Sequence, residues 1–219
     1  MIPVLQAFGK HMHTDSRSAY CSNLRTIFLI IFMLTGCATQ QPISEADRLA
    51  HWQLHRGKLA ELTRWQFKGR IAIQMEKQGW TASFHWRQDQ QDYLLRVFTP
   101  LGRGNYEISG NADGAVMQTA NNSIVHADDA ETLLRENLGW YIPSSSLKYW
   151  VRGLPVPGKK NAGLLLDQKG RLAELSQSGW LVRYSHYINS SEYELPTKII
   201  MQNNNLKVRL VIKHWQTSL

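Results

Sequence analysis

The sequence is poor in cysteine and has no long apolar segment. Only Cys21 and Cys37 occur among the 219 residues, far fewer than a domain built on a disulfide framework needs. The longest apolar run, residues 27–34, has eight residues, whereas a transmembrane helix needs about 20. A Gly-x-Ser-x-Gly nucleophile motif and a phosphate-binding glycine loop are also missing from the sequence. We therefore expect no transmembrane helix, no catalytic residue or enzymatic activity, and no cofactor.

The apolar run has the features of an export signal. Arg25 lies just before it, and it ends in the segment Leu34-Thr35-Gly36-Cys37. This segment resembles the lipobox of bacterial lipoproteins, in which the chain is cleaved before the cysteine and the cysteine carries lipid. We predict that residues 1–36 form a lipoprotein signal peptide and that Cys37 is lipidated. Met12 could equally be the start codon.

The mature chain, residues 37–219, has the size of one domain and a basic charge. Its 183 residues are enough to bury a sizeable core. Without the signal peptide, 22 Lys and Arg stand against 16 Asp and Glu, a net charge of +6. Such a charge suits anionic head groups or an acidic partner. We interpret residues 37–43 as a lipidated tether and residues 44–219 as a folded domain without a disulfide.

Capping residues and apolar periodicity predict three helices. Ser44 is a suitable N-cap for a helix over residues 45–62. The apolar positions of that helix are Leu49, Trp52, Leu59 and Leu62. A second helix follows the aspartates at 128–129 and ends at Gly139, and a third follows Pro143.

Most of the remaining chain alternates between apolar and polar residues, as half-buried strands do. Two such runs begin at Trp65 and Trp80 and are separated by the turn Lys77-Gln78-Gly79, which predicts a hairpin. The C-terminal third adds strands near residues 164–166, 171–176, 180–187, 198–202 and 206–212. The predicted fold class is mainly β with α: a single curved antiparallel sheet of about 10–11 strands with three helices, which must hide its apolar face as a barrel or an incomplete β-barrel does.

Two histidines of the first helix have the spacing of a metal-binding pair. His51 and His55 are four residues apart, but Trp52 takes the place of the glutamate in the metalloprotease motif. No third ligand lies in register with them. We therefore interpret both as surface histidines and predict no metal site.

One face of the first hairpin is unusually aromatic. Trp65, Trp80 and Trp86 fall on it together with Phe67 and Phe84. Such a face can simply pack as core, or it can line a cavity for an apolar ligand. The residues alone leave both interpretations open.

The connection between the third and fourth strands carries an apolar residue at its centre. Leu101 lies between Pro100 and Gly102, where a hairpin connection normally has polar turn residues. A single exposed leucine is common. Taken alone, this segment fits an ordinary turn.

These segments resemble the LolB family of outer-membrane lipoprotein receptors, which accept lipoproteins from the periplasmic carrier LolA. The resemblance covers nearly the whole mature chain. Its most specific part is Leu147-Lys148-Tyr149-Trp150-Val151-Arg152-Gly153-Leu154-Pro155. The other segments that carry it are Trp65-Gln66-Phe67-Lys68-Gly69-Arg70-Ile71-Ala72, Phe84-His85-Trp86-Arg87-Gln88, Pro100-Leu101-Gly102 and Gly139-Trp140-Tyr141-Ile142-Pro143.

The resemblance implies that the helices form a lid over a hydrophobic cavity in the half-barrel. It also implies that Leu101 protrudes and helps to deliver the cargo lipid to the membrane. With the aromatic face, it leads us to predict a cavity lined by Trp65, Phe67, Trp80, Phe84, Trp86, Leu95, Val97 and Trp150.

The resemblance also implies the partners and the location. The expected partners are LolA, the acyl chains of cargo lipoproteins and outer-membrane lipid, with no nucleotide hydrolysis and no nucleic acid. Ala38 follows Cys37 where an inner-membrane lipoprotein would have aspartate, so we expect the protein at the periplasmic face of the outer membrane. We also expect a monomer. The alternative is a lipid-anchored assembly subunit of an outer-membrane complex, in which the aromatic face is only core.

Overall fold

A computed structural model describes residues 43–75, 78–100 and 104–217. The predicted signal peptide, the predicted lipidation site Cys37, Leu101 and Arg103 lie outside the described residues. The helices are α1 (Glu45–Glu61), α2 (Ala130–Leu138) and α3 (Ser144–Trp150). The strands are β1 (Arg64–Met75), β2 (Gln78–Asp89), β3 (Asp92–Phe98), β4 (Asn105–Gly110), β5 (Ala115–Gln118), β6 (Ile124–Ala127), β7 (Asn161–Leu166), β8 (Leu172–Gln177), β9 (Trp180–Ser190), β10 (Tyr193–Gln202) and β11 (Leu206–Gln216).

All the described strands belong to one open antiparallel sheet. The sheet has 11 strands in the order β6-β5-β4-β3-β2-β1-β11-β10-β9-β8-β7. Strands β1–β6 form one meander and β7–β11 form another, and the two meet where β1 pairs with β11. The predicted fold class, a single sheet that does not close and carries three helices, is confirmed.

The helices begin and end where their capping residues require. Ser44 accepts a hydrogen bond from the backbone of Asp47, and Asp129 accepts one from Thr132 at 2.7 Å. Gly139 ends α2 in the left-handed conformation at φ 68°, which a glycine adopts without steric cost. No helix of the described segments is long and apolar enough to cross a membrane.

Three details differ from the sequence predictions. Leu49, predicted on the buried side of α1, is 48% exposed, whereas Trp52 and Leu59 are buried. Gln78 and Gly79 belong to β2 rather than to a turn, because Gln78 pairs with Met75. The hairpin of β9 and β10 extends to residues 190 and 193, since backbone pairing continues through polar positions at which the apolar alternation has stopped.

A bulge interrupts the pairing of β1 with β11. Lys68 pairs with His214, but the next residue, Gly69, pairs with Ile212, so β11 carries one extra residue at this point. The extra residue reverses the direction of every following side chain of β11. A Cβ atom on Gly69 would lie 2.4 Å from the backbone oxygen of Val211, closer than two such atoms can approach.

Gly69→Ala therefore tests the bulge. The added methyl group would push β11 away from β1, and we expect the free energy of unfolding to fall by about 2–3 kcal/mol. Gly57→Ala is the matched control, because a Cβ there meets nothing within 4 Å in the middle of α1. It should raise the free energy of unfolding by about 0.5–1 kcal/mol. Urea unfolding measures both, and equal effects of the two substitutions would contradict the close approach at Gly69.

Candidate functional site

The inner face of the central strands is a continuous apolar surface. Side chains on β1, β2 and β3 alternate between buried and accessible, as a half-buried sheet requires. The predicted lining residues that belong to these strands lie on the buried side; the most enclosed are Trp65, Phe67, Phe84, Trp86, Leu95 and Val97, each 3% exposed or less. Trp80 is only half-buried. The structure thus brings these residues onto one face, and their role toward a ligand stays a prediction.

The aromatic rings of this face form one connected cluster. The ring of Trp65 lies 5.9 Å from that of Phe67 and 5.3 Å from that of Trp86, measured between centroids. Phe84 lies 5.9 Å from Phe67. Rings at these separations attract one another beyond the contribution of their buried area. The cluster is therefore both a stable core and a large apolar surface.

Trp215 completes the cluster, and sequence analysis did not find it. Its ring lies 5.7 Å from Trp65 and 5.1 Å from Phe67. Counting alternate residues from Ile212 would place Trp215 on the outer face, but the bulge turns it inward. A glycine inside a strand often marks a bulge, so Gly69 is the signal that could have found Trp215.

Trp150 occupies a different part of the interior. It is fully buried on α3, and its ring lies 5.9 Å from that of Trp180 at the start of β9. Its indole nitrogen donates a hydrogen bond of 3.2 Å to the side chain of Gln177 on β8. Trp150 therefore lines the side of the interior formed by β8 and β9, while the aromatic cluster lines the side formed by β1, β2 and β11.

Two buried glutamines accept hydrogen bonds from tryptophan side chains. Gln88 accepts one from the indole nitrogen of Trp86 at 3.1 Å and donates to the backbone oxygens of residues 90 and 92. Gln177 accepts from Trp150 and from the backbone of Val156. A buried indole needs such a partner. These contacts hold both rings in fixed orientations.

We call α1, α2 and α3 the roof, because their buried side chains belong to the same hydrophobic core as the inner face of the sheet. Arg152 joins two of these helices. Directly after α3, the guanidinium of Arg152 donates to the backbone oxygens of Leu59 at 3.0 Å and Leu62 at 2.6 Å, at the end of α1. Burial lowers the pKa of Arg152 to about 10, so the side chain stays charged at neutral pH. A charged donor on helix C-terminal carbonyls is a strong contact, and it joins α1 to α3.

The opposite, outer face of the sheet has a cationic groove. The groove has a volume of about 560 Å³, and its lining includes Arg70, Arg209, Phe98 and Pro100 but no carboxylate among the described residues. At one end, the backbone and hydroxyl of Thr99 donate to the oxygen of Gly104 at 3.2 and 2.7 Å. These bonds close the base of the connection that contains Leu101.

The two histidines of α1 have different surroundings. His51 is exposed, and His55 is partly buried near Glu194, Arg171 and Asp167. Burial lowers the pKa of His55, which leaves it neutral at pH 7. Within the described segments, no group of three or more His, Cys, Asp or Glu could hold a metal ion.

Comparison with known proteins gives consistent similarities. The family model "Outer membrane lipoprotein LolB" matches residues 63–215. An outer-membrane lipoprotein LolB of Nitrosococcus oceani is 38% identical over 194 residues, 88% of this chain and 96% of the relative. The LolB of Pseudomonas savastanoi pv. phaseolicola is 37% identical over 193 residues, 87% of this chain and 94% of the relative. The crystal structure of a LolA superfamily protein from Nitrosomonas europaea has the same fold, with a TM-score of 0.51 and 11% identity over 81% of this chain and 94% of that chain.

Arg152→Met tests the connection between the helices. Methionine fills similar space but donates no hydrogen bond to the buried carbonyls of Leu59 and Leu62, so the free energy of unfolding should fall by about 2–3 kcal/mol. Amide hydrogen exchange in residues 58–62 should accelerate. Arg56→Met, at an exposed position of α1, should change stability by less than about 0.5 kcal/mol. Unchanged exchange at the end of α1 in Arg152→Met would show that this contact does not hold the roof.

Proposed function

Because the chain belongs to the outer membrane lipoprotein LolB family, we propose that it accepts lipoproteins from a periplasmic carrier into its apolar interior and inserts them into the outer membrane. Its relatives are named outer-membrane lipoproteins, and this chain is likewise a lipid-anchored protein of the outer membrane. The predicted family and location are thereby confirmed. In this proposal the carrier is a LolA protein, the cargo enters by its acyl chains, and no nucleotide is hydrolysed.

The observation that carries the proposal is the aromatic cluster beneath a roof of helices. The cluster lies on the inner face of an open sheet, and the buried side chains of the three helices belong to the same hydrophobic core. Within the described residues all strands belong to this one sheet, so the cover consists of separate helices. Separate helices can move apart without breaking the pairing of strands. An acyl chain that enters between sheet and roof would replace contacts between aromatic rings and helices with contacts of the same apolar kind.

The energetics of acyl transfer favour a handover between two such interiors. Exposing an acyl chain to water costs about 0.8 kcal/mol for each CH₂ group. Passage from one apolar interior to another avoids most of that cost, so no chemical energy source is needed. Direction comes from tighter binding by the acceptor and finally from the bilayer. The fold that this chain shares with a LolA superfamily protein is consistent with two interiors of similar architecture.

Delivery to the membrane is assigned to the connection of residues 99–104 and the surface beside it. Leu101 lies between Pro100 and Gly102 in this connection. The groove that Pro100 helps to line contains Arg70 and Arg209, whose charges are complementary to anionic phospholipid head groups. The arginines would hold this surface against the bilayer while the leucine enters the apolar boundary.

The first test separates the lipid anchor from the transfer. The mature chain with Cys37→Ala, exported behind the signal peptide of a soluble protein, should fold and accept a radiolabelled lipoprotein from purified LolA without ATP. We expect this because every described helix and strand lies within residues 45–216. Copurification of the label with this chain measures acceptance. A folded chain that takes no label from LolA would contradict the proposed function and favour the assembly-subunit alternative.

The second test concerns Leu101. Leu101→Glu should leave the melting temperature and the acceptance of cargo nearly unchanged, because it leaves the buried face intact. Insertion into liposomes should fail, since a carboxylate opposes entry into the apolar boundary and is repelled by anionic head groups. An assay that scores receptor-bound and membrane-inserted lipoprotein separately measures both steps.

The control for Leu101→Glu is the same substitution at a leucine that the structure shows to be exposed. Leu165, on the edge strand β7, is 61% exposed, and Leu165→Glu should permit both steps at the rate of the unchanged protein. Wild-type insertion by Leu101→Glu would show that Leu101 is an ordinary turn residue. Equal loss in both variants would show that the added charge, not its position, blocks insertion.

A further inference from the structure

Two tyrosines on β9, the buried Tyr184 and the partly buried Tyr187, differ in what their hydroxyl groups contact. The hydroxyl of Tyr187 donates to the backbone oxygen of Leu172 at 2.5 Å, and the guanidinium of Arg171 lies 4.5 Å from the centre of its ring. The hydroxyl of Tyr184 is fully buried and has no hydrogen-bond partner within the described residues. Tyr184 as a whole is only 7% exposed. Tyr187 lies three residues from Tyr184 on the same strand, so it serves as a control for the effect of removing a tyrosine hydroxyl.

The hydroxyl of Tyr184 lies in the apolar interior. Trp180, Val182 and Tyr184 occupy the buried positions of β9, and the intervening Arg183 is exposed. Tyr184 pairs with Ile199 of β10, which is fully buried. The side chain therefore belongs to the same inner face that carries the aromatic cluster on the neighbouring strands.

A buried hydroxyl without a partner is unfavourable in the unliganded protein. Nearly all buried polar groups of folded proteins are hydrogen-bonded, and the exceptions require an explanation. Phenylalanine at this position would supply the same ring without the unpaired group. Burial also raises the pKa of Tyr184 well above its ordinary value, so the group remains a neutral O–H donor at any physiological pH. A donor of this kind suits a neutral acceptor inside an apolar ligand.

An acyl chain of a lipoprotein or phospholipid carries one such acceptor, its ester or amide carbonyl. We propose that Tyr184 is a specificity-determining residue of the interior, whose hydroxyl donates a hydrogen bond to the carbonyl of a bound acyl chain. The inference rests on the proposed function, because it requires acyl chains to enter the interior. The hydrogen bond would fix how far the chain enters and would favour acyl esters over plain hydrocarbon chains.

The test compares ligands that differ only in the carbonyl. The probes are a lipopeptide whose cysteine carries a glyceryl group with two ester-linked palmitoyl chains, its ether-linked analogue without these carbonyls, and the ester-linked and ether-linked forms of one phospholipid. Binding to the mature Cys37→Ala chain is followed by tryptophan fluorescence. The chain with Tyr184 should prefer the ester lipopeptide to the ether by about three- to tenfold, the range expected for one hydrogen bond.

Tyr184→Phe should remove this preference by weakening binding of the ester lipopeptide to the level of the ether. Its melting temperature should stay the same or rise, because the unpaired hydroxyl is gone. Tyr187→Phe is the matched control: it should lower the melting temperature, because it leaves the oxygen of Leu172 without its donor, and it should keep the ester preference.

The outcomes separate this inference from the proposed function. If neither lipopeptide binds the chain with Tyr184, the proposed function fails. If both bind equally well, or if Tyr184→Phe keeps the ester preference, the proposed function stands and the role of Tyr184 is overturned. An ester preference that extends to the phospholipid supports recognition of acyl esters in general, and one confined to the lipopeptide supports recognition of the lipoprotein itself.

Discussion

The pairing of β1 with β11 is the constraint on which the rest of the structure depends. It joins two meanders from opposite ends of the domain into a single sheet, and without it β1 and β11 would each expose an edge of unpaired backbone N–H and C=O groups. The bulge in this pair turns Trp215 toward Trp65 and Phe67. The close approach of Gly69 to Val211 makes the bulge possible. One backbone irregularity thus determines the composition of the aromatic cluster at the centre of the interior.

The sheet and the helices that cover it are held by different kinds of contact. Strand pairing and ring contacts stabilise the inner face, whereas Arg152 joins the end of α1 to α3 through hydrogen bonds to two carbonyls. Segments that open in binding proteins generally come from the less stable parts of the fold. The proposed transfer would require the helices to separate from the sheet, since the cargo must enter and leave.

Within the described residues, some polar groups of the apolar interior have a hydrogen-bond partner and others have none. Gln88 and Gln177 accept hydrogen bonds from buried indoles and keep those rings in place. The hydroxyl of Tyr187 is likewise paired, whereas that of Tyr184 is not paired within the described part of the chain. The paired groups contribute to stability and orientation. The unpaired group fits a role toward a ligand, because only an added acceptor would offset the cost of its burial.

The sequence by itself determined the local features of this protein. Ser44, Asp129 and Gly139 set helix ends, and alternation predicted the inner face of β1, β2 and β3, because each depends on neighbours in the chain. Only the tertiary structure decided that Leu49 is exposed, that Trp215 faces inward and that the hydroxyl of Tyr184 has no partner among the described residues. Those outcomes depend on residues far apart in sequence. Helical periodicity describes one element alone, a bulge arises between two strands, and a hydroxyl is paired or unpaired according to what the folded chain brings beside it.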